Sequence, residues 1–361
     1  MTCPARYDRA LDMWVVAEPD DVRRVLRDPA TFRPENALTA HRPLTNRSLR
    51  ILAGVRFALP PTLASNGDPD SHTPIRRSIA RFFGPSRVEA VEPLARALVR
   101  ERLGPVAGAL SDGHPVDLVA AMASDVPALV MAELLGLGGV DILTLKRWSR
   151  DSLELFWGWP DDHRQEVLAA SAAEFYGWLR IRAATARETG GSDLFGALAA
   201  LGLSETEVCA AAYFVLIAGH ETTTQLISAA LHHVLMQPGG WAALVDAPTR
   251  AATIVEDVLA SVSSVPTWRR RTARDAQVRE VTIPAGSDVL VELSGNGGPA
   301  DLAFGVGVHR CLGAGLARME ARAALEEAAR LLPLLRPVEQ TPPMVDLLSF
   351  RAPRRVLVQH P

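Results

Sequence analysis

One cysteine of the chain stands in a setting that suits a metal-binding thiolate. Cys311 lies in the run Phe304-Gly305-Val306-Gly307-Val308-His309-Arg310-Cys311-Leu312-Gly313, where three glycines leave the backbone free to curl around the sulfur. An amphipathic pattern follows, so Cys311 is predicted at a helix N-terminus, where free N–H groups and the helix dipole stabilise a thiolate. Such a thiolate suits an axial ligand of iron. A lone cysteine is more often a buried free thiol, and both interpretations stay open at this point.

A second group of reactive residue types interrupts a long apolar helix. Residues 204–237 open with the capping box Ser204-Glu205-Thr206-Glu207, and at about 1.5 Å per residue the helix would cross the molecule. In its middle stands Ala218-Gly219-His220-Glu221-Thr222-Thr223-Thr224, whose glycine, acid and β-branched alcohols continue a buried helix poorly. The pattern predicts a local bulge or an opened hydrogen bond at a functional site. A solvated polar turn is the plain alternative.

Two further segments carry cations that could bind carboxylates. Residues 71–77 place a histidine four residues before an arginine, around a predicted helix start at Pro74. Residues 268–272 carry three consecutive arginines on a predicted strand. Because runs of arginine are usually solvated, we expect Arg269 and Arg271 to be surface residues.

Taken together, these segments resemble the cytochrome P450 family. The cysteine run fits the haem-loop pattern F-x-x-G-x-H/R-x-C-x-G, the helix segment fits A/G-G-x-D/E-T-T/S, and residues 71–77 fit H-x-x-x-R. The resemblance implies haem b as the cofactor, with Cys311 as its iron ligand. It also implies that Gly219 leaves room beside the haem, Glu221 feeds protons and Thr222 holds dioxygen. The remaining residues implied to contact haem are Phe304, Gly305 and Gly313 of the loop and the propionate partners His72, Arg76, Arg270 and His309.

The elements that must position these residues are predicted to be mostly helical. We predict one mainly α domain over residues 1–361, with small β-sheets, a cytochrome P450 fold and a shortened N-terminus. Residues 34–70 are predicted to form a long irregular excursion that walls a pocket. Helices are predicted at 20–26, 88–103, 118–135, 142–157, 163–188, 194–201, 204–237, 257–262 and 312–332, and strands at 13–17, within a hairpin region at 268–293 and near 356–358. An aromatic-rich segment, expected to be mostly helix-packing core, holds Trp148, Phe156, Trp157, Trp159, Phe175, Tyr176 and Trp178.

The chain departs from the family pattern on the cysteine side. Where the E-x-x-R helix motif is expected stands Asp257-Val258-Leu259-Ala260, and the segment between Leu293 and Phe304 is too short for the family's meander and its arginine. Removing one member of a buried charge network costs roughly 3–5 kcal/mol, whereas removing the whole network can be nearly neutral. We therefore expect a stable fold that holds haem more loosely and has a changed surface where an electron donor usually docks.

Composition excludes several classes of protein. The net charge is −3 with both signs interspersed, which gives no sign of a nucleic-acid face. Cys3, Cys209 and Cys311 are odd in number and far apart, so no disulfide framework is expected. Without an apolar run long enough to cross a membrane, the chain is expected to be a cytoplasmic protein that needs no membrane.

The favoured function is haem-thiolate monooxygenation, or a related oxidation, of an organic small molecule in bacterial secondary metabolism. Its usual partner would be a ferredoxin-type electron donor, although the changed cysteine-side surface argues against ordinary docking. One alternative is a degenerate relative that stabilises or activates another biosynthetic enzyme. Another is a peroxide-driven or non-redox haem enzyme.

Overall fold

Helices make up most of the computed structural model, which describes residues 4–361, so Cys3 lies outside the described residues. The helices are α1 (Pro19–Arg27), α2 (Asn46–Gly54), α3 (Pro69–Ala80), α4 (Pro85–Ser111), α5 (Val126–Leu135), α6 (Ile142–Trp157), α7 (Asp162–Thr189), α8 (Leu194–Ala199), α9 (Glu205–Met236), α10 (Gly240–Asp246), α11 (Ala251–Ser261) and α12 (Ala314–Leu331). The strands are β1 (Arg6–Asp8), β2 (Met13–Val16), β3 (Phe32–Arg33), β4 (Val116–Asp117), β5 (Thr267–Thr272), β6 (Ala276–Val278), β7 (Val281–Ile283), β8 (Asp288–Glu292), β9 (Arg336–Pro337), β10 (Met344–Leu347), β11 (Phe350–Pro353) and β12 (Leu357–Gln359). The prediction of a mainly α fold with small sheets is confirmed.

The largest sheet has the strand order β1-β2-β8-β5-β3. Strand β2 runs parallel to β8, and β5 runs antiparallel to β8 with Trp268 opposite Val291 and Arg270 opposite Val289. Because side chains alternate along a strand, Trp268 and Arg270 share one face of β5. The smaller sheets are β4-β12-β9, the pair β10-β11 and the pair β6-β7.

Helix α9 lies at the centre of the core and packs against α5, α6, α7 and α12. Ser204 caps it with the predicted reciprocal capping box to Glu207. The helix continues without interruption through residues 218–224, so the predicted bulge is wrong. The hydroxyl of Thr222 donates to the Ala218 carbonyl at 2.7 Å, which satisfies the alcohol without opening the helix.

Other elements also differ from the sequence predictions, and α4 and α11 are longer than the predicted helices 88–103 and 257–262. The predicted irregular excursion contains α2, capped by the Thr45 side chain. Helix α3 starts at Pro69 behind the cap Asp68, so Pro74 lies inside the helix and does not begin it. The predicted helix 118–135 is divided into a π-helical turn, Val119–Ala123, and α5. No helix among residues 4–361 combines the length and apolar character needed to cross a lipid bilayer.

Candidate active site

The candidate site is a cavity enclosed between α9, the cysteine loop (Phe304–Gly313), β5 and the ends of α3 and α6. Its empty space is about 1470 Å³, counting the open mouth. This figure counts all the space between protein atoms, part of it open solvent, so it is an upper limit on the room for bound molecules. The residues that line it include Leu63, Arg76, Trp157, Phe214, Gly219, Thr222, Trp268, Arg270, Phe304, Gly305, His309, Cys311, Gly313 and Phe350.

The cysteine loop presents the Cys311 sulfur to this cavity. The Cys311 backbone N–H donates to the Phe304 carbonyl at 2.8 Å, which closes the loop. Helix α12 starts at Ala314 behind Gly313, so the cysteine lies just before the helix and not on it. Burial raises the pKa of the Cys311 thiol, although the Gly313 N–H and the nearby Arg76 act in the opposite direction. Cys311 is exposed and lines the cavity. Because its pKa is raised, the protein alone favours the thiol form there.

Two glycines of the loop have backbones that other residues adopt poorly. Gly305 has φ +67° and Gly307 has φ +78°. A Cβ at position 307 would also stand 3.0 Å from the Leu26 carbonyl oxygen. The sequence Phe-x-x-Gly-x-His-x-Cys thus folds into a tight loop because glycine alone tolerates these turns.

A cluster of cationic and imidazole groups lies beside the cysteine loop. The rings of His72 of α3 and His309 contact each other at an angle of 50° with centroids 4.6 Å apart, and Arg76 donates to the Arg310 carbonyl. Burial, helped by Arg270, His72 and Arg76, lowers the pKa of His309 to about 3. Burial also lowers the pKa of Arg270, which is only 2% exposed, to about 10. The structure therefore brings together all four predicted propionate partners.

These groups fit the carboxylates of haem. His72 Nε2, Arg270 Nε and both ring nitrogens of His309 are buried without a well-formed hydrogen bond in the part of the chain described. No lining residue of the cavity is an Asp or a Glu, so the cations face no protein carboxylate there. Unpaired buried donors cost free energy, and an anionic ligand would remove that cost. The Cys311 thiol could bind the iron of haem, and the unpaired donors could bind its two propionates.

The acid of the α9 segment makes a buried ion pair instead of facing the cavity. Lys146 Nζ of α6 lies 2.7 Å from Glu221 Oε1, with the two side chains 2% and 5% exposed. His220 Nδ1 stands 3.7 Å from the same oxygen, and its Nε2 lies 3.0 Å from Ser149 Oγ. Burial, and then the charge of Lys146, lowers the pKa of His220 well below its ordinary value, so this imidazole is neutral. Glu221 does not line the cavity, whereas Thr222 does.

Gly219 and Thr222 face the cavity as the sequence predicts. A Cβ at Gly219 would approach Met131 Cε of α5 to 1.9 Å, so the tight contact is with α5. The Thr222 hydroxyl is occupied by the Ala218 carbonyl, and Ser264 Oγ donates to the Thr222 carbonyl at 3.1 Å. Thr222 can thus accept a hydrogen bond from the cavity directly, but it must release Ala218 before it can donate one.

Sequence reasoning missed one residue next to this site, Lys146, and misplaced another, Arg269. Lys146 stands in an ordinary helical pattern, and nothing in that pattern signals a buried cation. Arg269 was expected at the surface, and this is wrong: it is 3% exposed and its guanidinium lies 5.4 Å from the Trp157 ring centre. Arg271 pairs with Asp288 and is partly exposed, as expected. Of the aromatic-rich segment, only Trp157 lines the cavity, while Trp148 and Phe175 stack in the core as expected.

Comparison with known proteins gives a consistent set of relatives. No protein-family model matches the chain. Erythromycin C-12 hydroxylase of Saccharopolyspora erythraea is 32% identical over 354 residues, covering 90% of this chain and 83% of the relative. Cytochrome P450 monooxygenase PikC of Streptomyces venezuelae is 30% identical over 338 residues, covering 87% and 76%. The structure of cytochrome P450 CREJ in complex with (4-ethylphenyl) dihydrogen phosphate superposes with a TM-score of 0.91 at 31% identity, covering 99% of this chain and 94% of that one.

Proposed function

The chain belongs to the cytochrome P450 family, and we propose that it binds haem b through Cys311 and oxidises a neutral organic molecule in the adjoining cavity. Its bacterial relatives are hydroxylases and monooxygenases of secondary metabolism, and the chain is an oxidoreductase of small organic molecules. One observation carries the proposed site: Cys311, Arg270 and His309 line the same cavity, and His72 packs against His309.

Each residue at the site has a distinct task in this proposal. A thiolate-ligated haem supplies the activation of dioxygen, since thiolate donation favours O–O cleavage. His72, Arg76, Arg270 and His309 would neutralise the propionates. The apolar lining keeps water out, so that polar contacts within the cavity are stronger than in bulk water.

Glu221 and Thr222 would move the protons. In the structure the Glu221 carboxylate is held by Lys146 Nζ, out of the cavity. To reach the cavity, the carboxylate must leave Lys146. Lys146 is therefore a positioning residue that holds the proton carrier in its outward position. Thr222 would relay the proton once its hydroxyl releases the Ala218 carbonyl.

We further propose that electrons, and not peroxide, drive the reaction. The acid–alcohol pair is intact, and a proton route is needed when dioxygen is reduced by electrons supplied one at a time. Turnover with NADH, a ferredoxin reductase and a ferredoxin should exceed turnover with hydrogen peroxide. Product formed only with peroxide would contradict this part of the proposal.

The visible spectrum of the reduced protein under carbon monoxide tests the site. We expect an absorption band at about 450 nm, which marks a thiolate-ligated haem. In Cys311→Ser the band should be lost. In Cys209→Ser it should persist, because Cys209 is buried in the core away from the cavity, and burial raises the pKa of its thiol to about 12.

Two results would overturn the proposal. One is a band at about 420 nm in the unmodified protein, which indicates that the thiolate is not the ligand. The other is a folded protein that takes up no haem when haem is supplied. The second result would favour a degenerate relative that stabilises another enzyme.

A further inference from the structure

Three aromatic rings from three separate elements form one wall of the cavity. Trp157 ends α6, Trp268 lies on β5 and Phe350 begins β11. The ring centre of Trp157 is 5.8 Å from that of Trp268 and 5.1 Å from that of Phe350, and the last two are 6.3 Å apart. These spacings are those of tilted and edge-to-face aromatic contacts. We call these three residues the aromatic wall.

Helix α9 adds a further ring to the same cavity. Phe214 also lines the cavity, one helical turn before Ala218 and two turns before Thr222. A molecule lying against Phe214 would therefore extend along α9 toward the segment that carries the proton-transfer residues. The rings line the space in which a substrate would lie against the reacting centre.

The cavity offers this substrate little hydrogen bonding. Four hydroxyl side chains line it, and three of them, Thr223, Ser263 and Ser264, are almost fully buried. The hydroxyls of Thr222 and Ser264 already donate to backbone carbonyls. The ionisable side chains that line it are those of Arg76, Arg270, His309, Arg310 and Cys311, and none is a carboxylate. Recognition must therefore come mainly from shape and from contacts with ring faces and edges.

The charges behind the wall decide against a cationic substrate. Aromatic rings can bind ammonium groups, so the wall alone would suit a cation. However, the Arg269 guanidinium already lies 5.4 Å from the centre of the Trp157 ring. Arg270 lines the cavity two residues after Trp268, on the same face of β5. Arg270 is assigned to the haem propionates, so it is the buried Arg269 guanidinium that repels a further cation from this wall.

The wall is held in place from behind. The Phe156 carbonyl accepts from the backbone N–H of His41 at 2.9 Å, and the Trp157 carbonyl accepts from that of Leu348 at 2.9 Å. Arg269 Nη2 donates to the Ala37 carbonyl at 3.2 Å and reaches toward that of Phe156 at 3.5 Å. Rings fixed in advance lose little entropy when a ligand binds, which favours a ligand of matching flat shape.

We propose that the substrate is a neutral molecule with a planar aromatic ring system, and that Trp268 is the residue that most determines this preference. Trp157 and Phe350 are only 1% and 2% exposed and support the wall, whereas Trp268 is partly exposed and lines the cavity. This inference rests on the proposed function, because it concerns the substrate of the same cavity. Loss of one aromatic contact is expected to weaken binding of an aromatic ligand by about tenfold.

Calorimetric titration of the haem-loaded protein with matched ligands tests the proposal. The ligands are naphthylmethanol, its fully saturated analogue decalylmethanol, and naphthylmethyl-trimethylammonium. We expect naphthylmethanol to bind about tenfold more tightly than decalylmethanol, and the ammonium ligand to bind more weakly than either. Titrations are repeated on Trp268→Leu, Trp268→Phe and Trp159→Leu. Trp159 is the matched control, because it is also a tryptophan, is 51% exposed and does not line the cavity.

In Trp268→Leu the aromatic preference should fall to within about threefold, while Trp268→Phe and Trp159→Leu should largely keep it. Equal binding of the two alcohols by the unmodified protein would overturn the proposal, whatever the variants do. Tightest binding of the ammonium ligand, or equal loss of preference in Trp159→Leu, would overturn it as well. The carbon monoxide band separates the two levels: a band at about 450 nm with no aromatic preference refutes only the substrate class, and absence of the band refutes the proposed function.

Discussion

Replacing Lys146 by Met should leave the Glu221 carboxylate buried without its cation. Both side chains are almost fully buried and their charged atoms lie 2.7 Å apart. Breaking a buried pair by removing one partner costs about 3–5 kcal/mol. Because Thr224 Oγ1 and His220 Nδ1 also lie within 4 Å of the pair, part of the polar surroundings remains, and we expect about 3 kcal/mol. Urea unfolding at neutral pH measures the change in the free energy of unfolding.

The double variant Lys146→Met/Glu221→Gln distinguishes an ion pair from a packing defect. When both charges are removed no unpaired charge remains, so most of the lost stability should return. Arg147→Met is the matched control on the same helix, since Arg147 pairs with Glu174 at the surface and should contribute less than about 1 kcal/mol. A cost below about 1 kcal/mol in Lys146→Met, or additive losses in the double variant, would refute the argument.

Three further predictions concern the core, the cation cluster and α9. Burial raises the pKa of Glu320 well above 4.5, so the wild-type protein should lose stability as the pH rises above about 4.5, because the unfolded chain releases this proton and the folded one keeps it. Urea unfolding should show that Glu320→Gln gains at least about 1 kcal/mol of stability relative to the wild type between pH 5 and pH 8. The same pH dependence in both proteins would contradict this. Arg270→Leu should release haem to apomyoglobin at least about tenfold faster than Arg271→Leu, which alters only a half-exposed ion pair; equal rates would remove Arg270 from the propionate site. Gly219→Ala should cost about 1–3 kcal/mol in thermal unfolding, because its methyl would meet Met131 Cε, and a stability equal to wild type would show that Met131 moves freely.

The sequence predicts best those features whose cause is local. The capping box at Ser204 and the glycines around Cys311 act within a few residues, and both lie where the sequence predicts. The bulge in α9 was predicted from the poor helix-forming tendency of residues 218–224. It does not form, because the Thr222 hydroxyl bonds within the helix and Ser264 satisfies the Thr222 carbonyl from outside. The contact from Ser264 comes from a segment about forty residues away in the chain, so no local sequence pattern predicts it.

Features that depend on packing between distant segments of the chain were not predicted from the sequence. Lys146 becomes buried because α6 lies against α9, and its partner Glu221 is remote in the chain. Arg269 was expected to be solvated because it stands in a run of arginines. It lies on the face of β5 opposite to that of Trp268 and Arg270. That face is covered by the segment carrying Ala37 and by the end of α6, which turns a surface arginine into a buried one.

Arg318 of α12 explains how the cysteine loop stays in place without the E-x-x-R motif. Its guanidinium bonds Glu256 of α11 at 2.6 and 3.0 Å and Asp301 at 2.8 Å, and it lies 4.6 Å from the centre of the Phe304 ring. Such half-exposed pairs contribute little each, but together they join α11, α12 and the start of the cysteine loop through one side chain. At the motif's own positions Asp257 is exposed and Ala260 is uncharged, so no buried charge is left there without a partner. The whole buried charge network is thus absent, and removing a whole network can leave stability nearly unchanged. The partly exposed Arg318 connects these elements instead.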